Sequence, residues 1–149
     1  MKIYLGADHR GFELKEKLRI WLEKHDISHE DMGAYSFEKY DDYTEYAQKV
    51  ASVVADNSGS RGLLLCGSGV GVDIVANKFD GIRSAVAINP EQIESARAHD
   101  DVNILVLAAD YTNERQAVNM LEKFLNTEFD GEARHKARLE EIEKLEQNN

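Results

Sequence analysis

Hydrophobic positions along the chain follow two spacings that take turns. Short strand-like runs occur at "KIYLG" (Lys2 to Gly6), "GLLLC" (Gly62 to Cys66), "IRSAVAI" (Ile82 to Ile88) and "VNILVLAA" (Val102 to Ala109), the central ones continuously apolar, with a weaker one at "ISHEDMG" (Ile27 to Gly33). Between them, apolar residues recur every three or four positions, the period of a helix with one buried face. Leu14, Leu18, Trp21, Leu22 and His25 make the first such stripe, and Tyr43, Ala47, Val50 and Val54 the second. "GVDIVANKF" (Gly71 to Phe79) reads as a short helix. Asn89-Pro90 supplies an N-cap and a proline in the first turn for "PEQIESARAH". Ala117, Met120, Leu121 and Phe124 line a fifth helix, and Leu139, Ile142 and Leu145 a narrower stripe on a sixth, about residues 132–147.

Strand runs that are apolar throughout, rather than at alternate positions, belong to a parallel sheet covered on both faces. Strands alternating with helices give the same answer. The prediction is an α/β protein: a three-layer α/β/α Rossmann-like sandwich with a five-stranded parallel sheet and an extra C-terminal helix. With 149 residues, 42% of them hydrophobic, the chain forms one domain over residues 1–149. Ligands in such folds sit beyond the carboxyl ends of the strands, near a reversal in strand order. That rule selects Asp8-His9, the segment Cys66 to Gly71, and the residues after the fourth strand.

Charge narrows the partners. A net charge of -10 argues against a general nucleic-acid or anionic-membrane surface. A small anionic substrate then requires a local cluster of positive groups. No apolar run approaches the roughly 20 residues that span a bilayer, and "MKIYLGADHR" lacks the apolar core of a signal peptide. One cysteine makes no internal disulfide, so a reducing cytoplasm is expected.

The densest chemistry lies in "CGSGVG", Cys66 to Gly71. Alternating glycines let backbone amides approach a ligand closely. The spacing is neither the dinucleotide fingerprint nor a P-loop. For the glycines alone, a tight strand-to-helix turn explains the pattern as well as an anion cradle does. Cys66 shifts the balance, because amides and a helix start are surroundings that favour a thiolate over a thiol, whose free pKa is about 8.5. A thiolate there can act as nucleophile or base, with the amides holding a developing oxyanion. His9 and His99 have loops expected to face Cys66; His25, His29 and His135 carry no such expectation. Arg134 and Arg138 share a face of the last helix. They either pair with Asp130 and Glu141 or form a phosphate clamp, and spacing favours the pairing.

Taken together, "GADHRGFELK", "CGSGVGVDIVANKFDGIRSAVA", "NPEQIESARAHDDVNIL" and "ARHKARLEEI" resemble the ribose-5-phosphate isomerase B and galactose-6-phosphate isomerase family over nearly the whole chain. The resemblance implies an aldose–ketose isomerase without cofactor or metal, acting on ribose 5-phosphate through an enediolate. It implies a homodimer, or dimers paired into a tetramer, with sites between subunits and the last helix on the partner. It implies Cys66 as base, Ser68 as the hydroxyl moving protons between O1 and O2, and His99 as the acid that opens the sugar ring. Asp8, Gly67, Gly69, Val70, Gly71 and Asp100 would line the sugar, and His9, Arg134 and Arg138 would take the phosphate. Alternatives are the same chemistry on allose or galactose 6-phosphate, or a sugar-phosphate-binding module without turnover. Departures from the family pattern fall at Thr44, Val72, Asp73, Asp100 and Asp110. Asp100 and Asp110 stand where the family commonly has asparagine and a phosphate-binding arginine, so both threaten anion binding unless screened.

Overall fold

The computed structural model describes residues 1–149. Five parallel strands form one sheet: β1 (Ile3–Ala7), β2 (His29–Asp31), β3 (Arg61–Cys66), β4 (Ser84–Val86) and β5 (Ile104–Ala108), in the order β2-β1-β3-β5-β4. The helices are α1 (Phe12–Lys24), α2 (Tyr43–Asp56), α3 (Val70–Ala76), α4 (Pro90–Asp100), α5 (Glu114–Asn126) and α6 (Ala133–Gln147). The predicted class and layering are therefore the observed ones.

Side-chain alternation splits the core into two slabs. Leu63 and Leu65 of β3 face one way, with Leu105 and Leu107 of β5, against Leu18 and Leu22 of α1, Ile93 of α4 and Phe124 of α5. Leu64 and Cys66 face the other way, with Ile104 and Val106, against Val50 of α2 and Val72 of α3. Leu63, Leu64 and Leu65 are all fully buried, which is why the run reads as continuously apolar.

The short elements depart from expectation. β4 covers only Ser84–Val86, not Ile82 to Ile88, because it is an edge strand paired with β5 alone. α3 starts at Val70 and ends at Ala76, three residues before Phe79. His25 is not part of the α1 stripe. It caps that helix, exposed, with Nδ1 2.7 Å from the Trp21 carbonyl oxygen. Thr44 is explained by the cap of α2, where its N–H and hydroxyl both donate to Asp42 Oδ1 at 2.9 Å.

From β1 the chain steps outward to β2 and then back past β1 to β3. The switch point therefore lies between the carboxyl ends of β1 and β3, where Asp8 and Cys66 begin their loops.

Candidate active site

The turn after β1 is organised by Asp8. Its carboxylate accepts the N–H groups of Arg10 (3.0 Å) and Gly11 (3.1 Å) and is buried. Burial pushes its pKa up, against those two N–H groups, which pull it down. His9 is held from outside the turn: its backbone N–H and its Nδ1 both contact Asp41 Oδ1, at 2.9 and 2.8 Å. The second oxygen of Asp41 is buried without a hydrogen-bond partner. The Tyr46 phenol is pushed up to about 12 by burial and by the neighbouring Asp41 charge.

Cys66 ends β3, buried, and its Sγ accepts the Gly69 N–H at 3.2 Å. Gly69 has φ +78°, a conformation that glycine adopts at no steric cost. Ser68 and Val70 are exposed on the same loop, with the Val70 N–H 3.3 Å from Ser68 Oγ. β5 carries its pairing on into this loop, through Ala109 N–H to the Cys66 carbonyl (2.9 Å) and Asp110 N–H to the Gly67 carbonyl (3.0 Å).

Two further side chains roof the loop. A Cβ on Gly71 would lie 2.6 Å from the Tyr43 ring, so that ring rests on the glycine. Tyr43 is therefore not in the buried stripe of α2, which is Tyr46, Ala47, Val50, Ala51 and Val54. A Cβ on Gly67 would lie 2.5 Å from Arg10 Nε. Arg10 in turn pairs with Asp110, so Asp110 is screened. Arg10, Asp41 and Tyr43 all escape the sequence reading as site residues. The only signals were the Arg10 beside Asp8-His9 and a tyrosine at the first position of α2.

The remaining predicted residues lie elsewhere, and the expectation for His99 needs correction within one chain. α4 returns from the carboxyl edge of the sheet, so His99 and Asp100 in its last turn are at the amino edge. There Ile104 opens β5 opposite Gly62, whereas Cys66 is opposite Ala108. Those four steps along the strand alone span about 13 Å. His99 instead packs against His135, ring centroids 4.6 Å apart and ring planes tilted by 35°. The buried His135 meets Asp130 at 2.8 Å. Asp130 is lowered by the Glu132 N–H and by His135. Arg134 pairs with Glu132 rather than Asp130, and Arg134 and Arg138 are exposed. One chain thus carries two separated groups: Asp8, His9 and the Cys66–Gly71 loop at the carboxyl edge, and His99, Asp100, Arg134 and Arg138 at the other. A polar cavity at the amino edge, lined by Arg61, Arg83 and Arg97, lies far from the thiol. Its arginines serve the carbonyl groups of Phe124 and Leu125 and the Asp101 carboxylate.

A thiol beside oriented amides and a buried acid, at the switch point of a doubly wound sheet, defines an α/β enzyme with a small-molecule site. The comparisons name the family. A family model described as Ribose/Galactose Isomerase matches residues 3–142, and the chain belongs to that family. It is 37% identical over 146 residues to ribose-5-phosphate isomerase B of Escherichia coli, covering 98% of this chain and 97% of that one. The crystal structure of a ribose 5-phosphate isomerase from Thermotoga maritima matches with a TM-score of 0.91 at 41% identity, covering 96% and 97% of the two chains. Ribose-5-phosphate isomerase B from Mycoplasma genitalium, solved with bound ribulose-5-phosphate, matches with a TM-score of 0.95 at 32% identity, covering 99% and 97%.

Proposed function

We propose that the chain interconverts ribose 5-phosphate and ribulose 5-phosphate in a site shared by two copies. The observation that carries this is the Cys66 thiol, bonded to the Gly69 amide at 3.2 Å beside the turn built on Asp8. In the forward direction, the Cys66 thiolate removes the proton on C2 of the open-chain aldose. Electrons move into a C1–C2 double bond, giving a cis-enediolate whose oxygen the free amides of the Gly67–Gly71 loop stabilise. The resulting thiol returns its proton to C1. Ser68, exposed on the same loop, carries a proton between O1 and O2. Nothing is oxidised or reduced overall, and one base shuttles one proton.

The separation of the two groups supports a homodimer, because a second copy brings its own His99, Asp100, Arg134 and Arg138 to the Cys66 edge. There the partner subunit's His99 opens the furanose ring, and its two arginines, together with His9, hold the phosphate. α6 suits this role: Ile142 and Leu145 are exposed, and only His135 of this helix is buried in its own chain.

Two experiments test the proposal. Assayed on ribose 5-phosphate and on allose and galactose 6-phosphates, the wild type should turn over the pentose phosphate fastest. Cys66→Ala should lose turnover while keeping its circular dichroism spectrum. Wild-type rates in that variant would remove Cys66 as the base. Separately, Cys66→Ala and R134A/R138A, each inactive, should regain roughly a quarter of the wild-type rate after unfolding and refolding together, since half the dimers are mixed and each has one intact site. No recovery would mean that each site is built from one chain.

A further inference from the structure

The ion pair of Arg10 with Asp110 joins the loops after β1 and β5 across the loop that carries Cys66. Arg10 starts from a fixed point, because its N–H is bound to Asp8 Oδ1 at 3.0 Å. Its guanidinium lies against Gly67: a Cβ there would be 2.5 Å from Nε and 2.6 Å from Cζ, and 2.9 Å from Asp110 Oδ2. The loop thus leaves the space of a side chain vacant next to Cys66, and a cation with its counter-ion occupies it.

No other cation of this edge is so placed. His9 reaches the phosphate only through Nε2, because its backbone N–H and Nδ1 are both held by Asp41. Arg134 and Arg138 belong to the opposite edge. In a chain with a net charge of -10, an anionic substrate needs a cation from this half of the site. The Arg10 and Asp110 side chains are 57% and 33% exposed, so their pairing is weak and exchangeable. A phosphate dianion offers the guanidinium a stronger, bidentate partner.

The geometry points to Arg10 as a substrate-binding residue that takes the phosphate group, with Asp110 as the counter-ion the phosphate displaces. This rests on the sugar-phosphate isomerase reading above. It makes the two residues act with opposite signs. Arg10 lowers KM for phosphorylated sugars, and Asp110 raises it by competing for the same guanidinium.

The test is steady-state kinetics on ribose 5-phosphate, with inorganic phosphate as competitive inhibitor, for the wild type, Arg10→Gln and Asp110→Asn. Both side chains reach solvent, so both variants should melt with the wild type, which a thermal scan checks. In R10Q, KM and the phosphate inhibition constant should both rise about tenfold or more, with the smaller loss in kcat. In D110N, both constants should fall about threefold. An R10Q enzyme whose two constants stay within about twofold of wild type would overturn the inference alone. So would a D110N enzyme weakened like R10Q, since Asp110 would then be a support rather than a competitor. A wild type that leaves ribose 5-phosphate unchanged would remove the isomerase reading itself, and the inference with it.

Discussion

Replacing Gly11 with alanine tests how tightly the start of α1 is set against the central strand. Gly11 is the N-cap of α1, with φ -92° and ψ -9°, a right-handed conformation open to alanine. The perturbation is therefore the added methyl group alone. Built on this backbone, it lies 2.7 Å from Leu65 Cβ, 2.7 Å from the Leu65 carbonyl oxygen and 2.8 Å from its carbonyl carbon, where ordinary contact begins at 3.4 Å. Two of these atoms are backbone in a strand paired on both sides, with β1 and β5, so they cannot retreat. α1 must back away instead. Overpacking usually costs 1–3 kcal/mol, and rigid neighbours put this case near the top, at about 3 kcal/mol. With a urea m-value of about 2 kcal/mol/M, the unfolding midpoint should fall by about 1.5 M. Activity should fall too, because the Gly11 N–H is bound to Asp8. Gly67→Ala is the matched contrast. Its methyl group meets the flexible end of Arg10 and the Asp110 carboxylate. Its stability should stay within about 0.5 kcal/mol of wild type, while the isomerase rate drops as Arg10 is pushed off the loop. A Gly11→Ala midpoint within about 0.25 M of wild type would refute the claim that this contact fixes the spacing of α1 and β3.

Asp8→Asn should lose activity yet stabilise the fold at neutral pH. Burial raises the Asp8 pKa, so the folded state prefers the protonated acid, and stability is lost as pH rises through the folded pKa. The asparagine escapes that loss, and its advantage in denaturant titrations should shrink as pH falls through the ordinary aspartate range, about 4. Arg61→Met should cost about 2 kcal/mol, a Tm drop of about 6 °C, by leaving the carbonyl groups of Phe124 and Leu125 at the end of α5 without their buried donor. An unchanged Tm would show that water replaces the guanidinium. Asp130→Asn should speed hydrogen exchange in the first turn of α6, where His135 is tied to Asp130, with little effect on the sheet; equal exchange would mean that the contact of His135 with His99 alone anchors the helix.

What could be read from the sequence divides along a physical line. β3 and β5 are legible because burial on both faces leaves no polar position in the run. The stripe of α5 is legible because one face alone is buried. β2 and β4 are edge strands with partly exposed residues, so their apolar pattern is weak and their ends are set by pairing. Strand order leaves no local trace. Cys66 and its glycines were legible as chemistry because the thiol, the turn and the amides are neighbours in sequence. Arg10 was not, because its partner Asp110 is 100 positions away. Tyr43 was misread because it keeps helical spacing with Ala47. As the first residue of α2, however, it overhangs the sheet edge and lies on Gly71.

The same distinction explains where His99 lies. Position relative to a strand is easily inferred, but its direction carries the meaning. A residue that follows a parallel strand is at the carboxyl edge, and one that precedes the next strand is at the amino edge. Asp8 and Asp110 follow their strands and Cys66 closes its own, and they gather at one mouth. His99 precedes β5, and Arg134 and Arg138 sit on a helix that packs near the end of α4. No movement inside one domain brings these groups together, because the sheet between them is its rigid core. In the proposed dimer, a second copy of the chain docks with its amino edge facing the first copy's carboxyl edge, and so brings a histidine and arginines to the thiol. A two-fold axis makes that contact twice and yields two equal sites. In such an assembly Arg10 is the strong cation that each site owns outright, and the arginines of α6 are the ones it borrows.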